Sequence, residues 1–274
     1  MHFNRFTSAF ALVAVLFGAH AALAQGAGDL LVAPTRVVLE SGRGTEVILN
    51  NIGTQTATYR ISLELRRMTA DGDFEEIEPA KANDVEGKAL SMISFAPRRV
   101  VLMPNQPQSI RIGVRPPQGL PDGEYRAHML FRAIPAARPV TAPAQANGLS
   151  IVLQPIYGIT IPIIVRRGLL KATASLADAK LVSDDGAPAL SVMIGRVGTR
   201  STYGRIRVLK AGVALPVYES SGIAVYPEVA QRTLTMRLTP EQLALLKGAP
   251  VTIQYLEDAT VSNGVMAELK TVIR

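Results

Sequence analysis

No cysteine occurs anywhere in the 274 residues of this chain. Disulfide staples are excluded, so every domain must be held by its own apolar core, and a Cys-His catalytic pair cannot be built. Histidine is nearly as scarce. Of the three, His2 and His20 lie in the first 24 residues, which leaves His128 alone and removes most ways of assembling a Ser-His-Asp triad. Long apolar runs are also missing beyond that point. Ile156–Val165 is the best candidate, and it falls far short of the roughly 18 residues a membrane-spanning helix needs.

The first 24 residues read as a secretory signal peptide: Arg5, then the apolar stretch Phe10–Gly18, then the small-x-small sequence Ala22-Leu23-Ala24. Cleavage is expected between Ala24 and Gln25. With no cysteine after that point there is no lipoprotein anchor, so the product is expected to be soluble outside the cytoplasm, without membrane insertion. The remaining 250 residues (274 − 24) suffice for two domains of ordinary size. Formal charge is +7, and +6 once Arg5 is removed (7 − 1). The arginines are placed singly along strand-like segments, the usual pattern of a solvated face, and the clustered basic stripe that nucleic acid requires is lacking.

Nearly everything present reads as β-strand. Leu30–Leu39, Glu46–Asn50, Thr58–Arg67, Arg98–Leu102, Ser109–Arg115 and Tyr125–Ile134 are short runs separated by Gly, Pro, Asn and Asp. The run Ile110 to Arg115 alternates apolar and polar residues cleanly. Strands at this spacing, with no alternating helices, predict an antiparallel sandwich of immunoglobulin type. A second set follows at Leu190–Val197, Tyr203–Leu209, Gly222–Tyr226, Thr233–Leu238 and Pro250–Leu256. Thr239, Pro240 and Gln242 carry the cap, first-turn and capping-box residues of a short helix that Gly248 would end. The expected division is signal peptide 1–24, first sandwich 25–167 and second sandwich 168–274, with the seam at Arg166-Arg167-Gly168.

Gly148–Val165, GLSIVLQPIYGITIPIIV, carries the most information. Its odd positions, including Leu149, Ile151 and Leu153, are all apolar from 149 to 161, the period of a strand with one buried face. Its even face is half apolar as well, which leaves one end of the strand free to serve a partner. The preceding loop, Ala136–Gly148, has no apolar periodicity, and loops of that length are often functional. Chemistry is otherwise thin. Asp71-Gly72-Asp73 with Glu75 and Glu76 lacks EF-hand spacing and suits a hairpin turn. There is no Gly-rich phosphate loop. Neither an enzyme, a metal site nor a cofactor is expected.

The segments LLVAPTRVVLESGRGTEVILNNIGTQTATYRISL, SFAPRRVVLMPNQPQSIRIGV, LPDGEYRAHMLFRAIP and GLSIVLQPIYGITIPIIVRRG, in that order, resemble the N-terminal domain of PapD-like periplasmic pilus chaperones. The second half resembles the family only in strand layout. The resemblance implies two immunoglobulin-like β-sandwiches in a boomerang arrangement, capping pilus or fimbrial subunits by donor-strand complementation and delivering them to an outer-membrane usher. It places donor residues at Leu149, Ile151 and Leu153, and a subunit-carboxylate anchor at Arg36. The family's second anchor, a lysine, aligns with Gly158. Either Tyr157 or Thr160 replaces it with a hydrogen bond, or Arg196 or Arg200 reaches across from the second domain, or the client is not a standard pilin. A structural or adhesive exported protein, with the long strand internal, stays open as the alternative.

Overall fold

The computed structural model describes residues 29–40, 44–135 and 155–274. Its first finding is that Leu30–Leu39 is two strands, β1 (Leu30–Ala33) and β2 (Val37–Glu40). Pro34 has no N–H to continue a ladder, and the chain crosses there from one sheet to another. There follow β3 (Thr45–Asn51), β4 (Ala57–Met68), β5 (Phe74–Ile77), helix α1 (Asp84–Met92), β6 (Ile93–Ala96), β7 (Arg99–Leu102), β8 (Pro107–Val114), β9 (Gly123–Ile134) and β10 (Gly158–Arg167). One sheet has the order β1-β3-β8-β6. The other has β2-β10-β9-β4, with β5 and β7 on successive lengths of β4.

The core lies between these sheets. Val47, Leu49, Ile110 and Ile112 face Ile61, Met129, Phe131, Ile161 and Ile163, all buried in one cluster. Each such side chain contributes about 1.5–3 kcal/mol by leaving water. The Tyr125 hydroxyl donates to the Pro121 carbonyl at 2.8 Å, the corner bond that immunoglobulin-like sandwiches use to pin the start of this strand. Asp71-Gly72-Asp73 forms the β4–β5 hairpin turn, with Thr69 N–H donating to Asp73 O and Gly72 at φ +88°.

The second sandwich comprises β11 (Ala172–Asp184), β12 (Ala187–Gly198), β13 (Thr202–Lys210), β14 (Tyr218–Val225), β15 (Gln231–Arg237), helix α2 (Pro240–Leu246), β16 (Pro250–Glu257) and β17 (Val265–Val272). Its sheets are β11-β12-β15 and β14-β13-β16-β17, closed over a second apolar cluster that includes Val192, Ile206, Val208, Ile253 and Tyr255. Thr239 and Gln242 form the capping box of α2. A small third cluster, Met68, Ile164, Ala224 and Tyr226, packs the two sandwiches against each other. It accounts for Ile164 on the even face of the long strand, which turns away from the first core and is buried against the second sandwich.

Two glycines test this packing. A Cβ at Gly204 would collide with the backbone oxygen of Leu256 on the neighbouring strand, so Gly204→Ala is expected to destabilise by about 2 kcal/mol or more. Gly87 lies inside α1 with open space around it, and Gly87→Ala is expected to stabilise by about 0.5–1 kcal/mol. Urea unfolding midpoints of the two variants should move in opposite directions.

Candidate functional site

β10 is paired unequally on its two sides. β9 follows it antiparallel along its whole length, from Gly158 opposite Arg132 to Arg167 opposite Gly123. β2 runs parallel to it on the other edge but covers only Ile163–Arg166. Among the described residues, no strand pairs with that edge over Gly158–Pro162. Unpaired backbone groups on a sheet edge are a template for an added strand. Ile156 and Tyr157, immediately before β10, are about half exposed (50% and 49%), so the open edge is entered through apolar surface.

Arg36 stands where the open edge ends. Val37 pairs with Ile163, which brings Arg36 level with Pro162. The second sandwich builds its seat. The guanidinium carbon lies 4.2 Å from the Tyr203 ring centroid and 5.7 Å from that of Tyr226. Its N–H groups donate to the Tyr226 hydroxyl at 3.0 Å and to Ser201 Oγ at 3.3 Å. Two of the five guanidinium donors are thus used, and among the described residues no carboxylate pairs with Arg36. A fixed guanidinium with donors to spare is suited to a planar two-oxygen anion.

Buried polar groups hold this seat rigid. Glu124 on β9 accepts from Ser201 N–H at 3.1 Å, from Ser201 Oγ at 2.9 Å and from Arg166 Nε at 3.0 Å. Arg126 pairs with Glu228 and lies 3.7 Å above the Tyr226 ring centroid. Glu228 also accepts from Met68 N–H at 2.8 Å. All but the Glu124–Arg166 contact span the two sandwiches, and none was readable from sequence, because each joins residues far apart in the chain. His128 is buried on the same sheet face, edge-on to Phe74 at 5.4 Å between ring centroids. Burial, reinforced by Arg126 and Arg66, pushes its pKa down to about 3, so it is neutral at physiological pH.

The other expected site residues fall as follows. Leu149, Ile151 and Leu153 lie outside the described residues. Thr160 donates to Glu64 at 3.4 Å and is therefore committed to its own sheet. Arg196 is buried, donating to the carbonyls of Gly198, Arg200, Pro227 and Val229. It scaffolds the second sandwich and does not reach across. Arg200 pairs with Glu257 at 2.8 Å, again within its own sandwich. Gly158 lies four residues before Pro162, about 13 Å along the strand, two side-chain rows from the level of Arg36. Directly opposite Gly158 is Arg132, a cation that register supplies and sequence reading overlooked.

No family model matches the chain, and no curated protein sequence matches it. Solved structures similar to it include the YadV chaperone, at 14% identity and TM-score 0.45, covering 89% of this chain and 100% of that one. A chain of the CsuC-CsuE chaperone-tip adhesion subunit pre-assembly complex of Acinetobacter baumannii is 12% identical, with TM-score 0.45 and coverage of 89% and 97%. A chain of the Salmonella enterica SafA pilin complex with the SafB chaperone is 18% identical, with TM-score 0.43 and coverage of 89% and 95%.

Two measurements probe the seam. His128 should show no titration by NMR between pH 5 and 8. Its pKa in the fold is about 3 against a usual 6.5, so the unfolded chain binds a proton that the fold does not between those two pH values. Stability is then fully present above pH 6.5 and falls as pH drops toward 3, by at most about 5 kcal/mol, and His128→Leu should flatten that slope. Glu124→Ala should cost about 2–4 kcal/mol in denaturant unfolding, because it leaves Arg166 and Ser201 without their shared acceptor.

Proposed function

We propose that this chain is a periplasmic assembly chaperone of the PapD-like pilus family, which binds and caps fibre subunits by lending them a strand and passes them to an outer-membrane usher. In this reading residues 1–24 are a cleaved signal peptide, 25–167 the client-binding sandwich and 168–274 the second sandwich. Among the described residues no helix is long and apolar enough to cross a membrane. The observation that carries the reading is the open edge of β10 over Gly158–Pro162, terminating at Arg36, with which no carboxylate forms an ion pair among the described residues.

Geometry sets the direction of the added strand. β2 occupies the edge from Ile163 onward, so a client strand on the open edge must stop where Arg36 begins. Only a strand running parallel to β10 arrives there with its C-terminus. Its terminal carboxylate then meets the free donors of Arg36, while Leu149, Ile151 and Leu153, upstream on the same chain, supply apolar side chains to the client's core. Ladder hydrogen bonds give affinity and alternate side chains give specificity in such an addition. Burying three large side chains would contribute several kcal/mol, at about 1.5–3 kcal/mol each.

Arg36→Ala should weaken binding of a client C-terminal peptide at least about tenfold, the loss expected for one charge-assisted contact. Arg36→Lys should restore it only in part, since an ammonium cannot grip both oxygens. Amidating the peptide should reproduce the alanine effect. Separately, replacing Leu149 and Ile151 together by Ser should abolish capture of a subunit lacking its last strand, with circular dichroism and melting unchanged. Unfolding of that double variant would mean these residues are core, which favours a structural or adhesive module.

A further inference from the structure

The register of β7, β4 and β9 assembles a row of arginines that the sequence keeps far apart. Arg60 pairs directly with Arg99 on one side and with Arg132 on the other, so all three project from one face. All three are exposed. Adjacent ladder positions put neighbouring Cβ atoms about 4.5–5.5 Å apart, and like charges so placed destabilise a sheet. No carboxylate among the described residues neutralises them. No ion pair reaches them among the described residues, and the remaining residues, 1–28, 41–43 and 136–154, contain no Asp or Glu. Ion pairs are by contrast frequent elsewhere on the molecule: Arg66, Arg67, Arg111, Arg126, Arg166, Arg200 and Arg237 each have an acidic partner.

The next row on the same face is apolar at both ends. Thr58 pairs with Val101 and with Ile134, which are 58% and 38% exposed. Residues two apart on a strand are separated by about 6.6–6.8 Å. An extended peptide lying along these strands repeats its same-face side chains at that interval, so an acidic residue over the arginines brings the residue two positions away over Val101 and Ile134.

We infer that this face is a docking surface for an acidic, extended segment of a partner protein, in which Asp or Glu residues stand two positions from large apolar ones. Arginine forks bind carboxylates through paired N–H donors, and the parallel apolar row supplies the desolvated contact beside them. An anionic lipid surface is matched less well, since it is recruited by clusters of roughly four to eight basic residues without such register. The inference rests on neither the unpaired edge of β10 nor Arg36, and shares with that site only Arg132, which lies opposite Gly158.

The test is fluorescence anisotropy of a labelled peptide repeating Glu-Ser-Val-Ser, titrated with the purified protein. The peptide should bind, its Gln-for-Glu analogue should not, and added salt should weaken the complex. The double variant Arg60→Gln/Arg132→Gln should lose at least about tenfold in affinity while melting at the same or a higher temperature, because a repulsion has been removed. Arg36→Ala should bind this peptide like wild type, which separates the surface from the client anchor. Equal affinity of wild type and double variant would overturn the inference. So would binding of phosphatidylglycerol vesicles, lost in the double variant, by a protein that ignores the peptide.

Discussion

Everything proposed for the site depends on how little of β10 is covered by β2. Four residues of pairing, Val37–Glu40 against Ile163–Arg166, are enough to anchor the N-terminal segment to the second sheet and to terminate the free edge. Were the crossing at Pro34 a few residues earlier, β2 would extend along β10, close the edge and carry Arg36 into a ladder. Were it later, the edge would continue past Ile163 into the seam with the second sandwich. The position of one residue without an N–H thus decides both the length of the opening and the cation at its end.

That cation is a property of two domains together. Arg36 belongs to the first sandwich, but Tyr203, Tyr226 and Ser201, which aim it, belong to the second. Ser201 is in turn held by Glu124 and thereby coupled to Arg166, at the end of β10. A guanidinium is costly to fix in one place because its side chain gives up about 2 kcal/mol of rotamer freedom. Stacking on an aromatic ring and donating to two hydroxyls meets that cost before any ligand arrives. Separating the sandwiches would free Arg36 to move, so the second sandwich has a positioning role even though the open edge lies wholly on the first.

The sandwich architecture was legible because its core strands alternate. Ile110, Ile112 and Val114 are buried and Arg111 is exposed, as the period-2 pattern requires. The capping box at Thr239 was legible for the same reason, since it is purely local. β11 was not, because a bulge between Ala177 and Lys180, with Asp178 at φ +51°, shifts its alternation by one residue. α1 carried a local signal that went unread: Asn83 and Glu86 form a capping box. Of the expected site residues, Arg36 is the one that the register sets at the end of the open edge, while Leu149, Ile151 and Leu153 lie outside the described residues. Arg196 and Arg200 look free in sequence, and two of the acceptors that hold them, Val229 O and Glu257, lie 33 and 57 residues away.

The same limit governs the reading of charge. Single arginines scattered along strands look like solvated positions when taken one at a time, and composition cannot separate a compensated cation from a bare one. Strand pairing does separate them. It places Arg166 opposite Glu124, while the packing of the two sandwiches sets Arg126 on Glu228, and it stacks Arg99, Arg60 and Arg132 side by side with no ion-pair partner among the described residues. The paired cations fix the relation of the two sandwiches, whereas the bare row adds only repulsion to the isolated chain. A feature that weakens the free protein and contributes nothing to its packing is best accounted for by what it binds: the three guanidinium groups specify the charge of that ligand, and the row of Val101 and Ile134 two residues along the strands specifies its spacing.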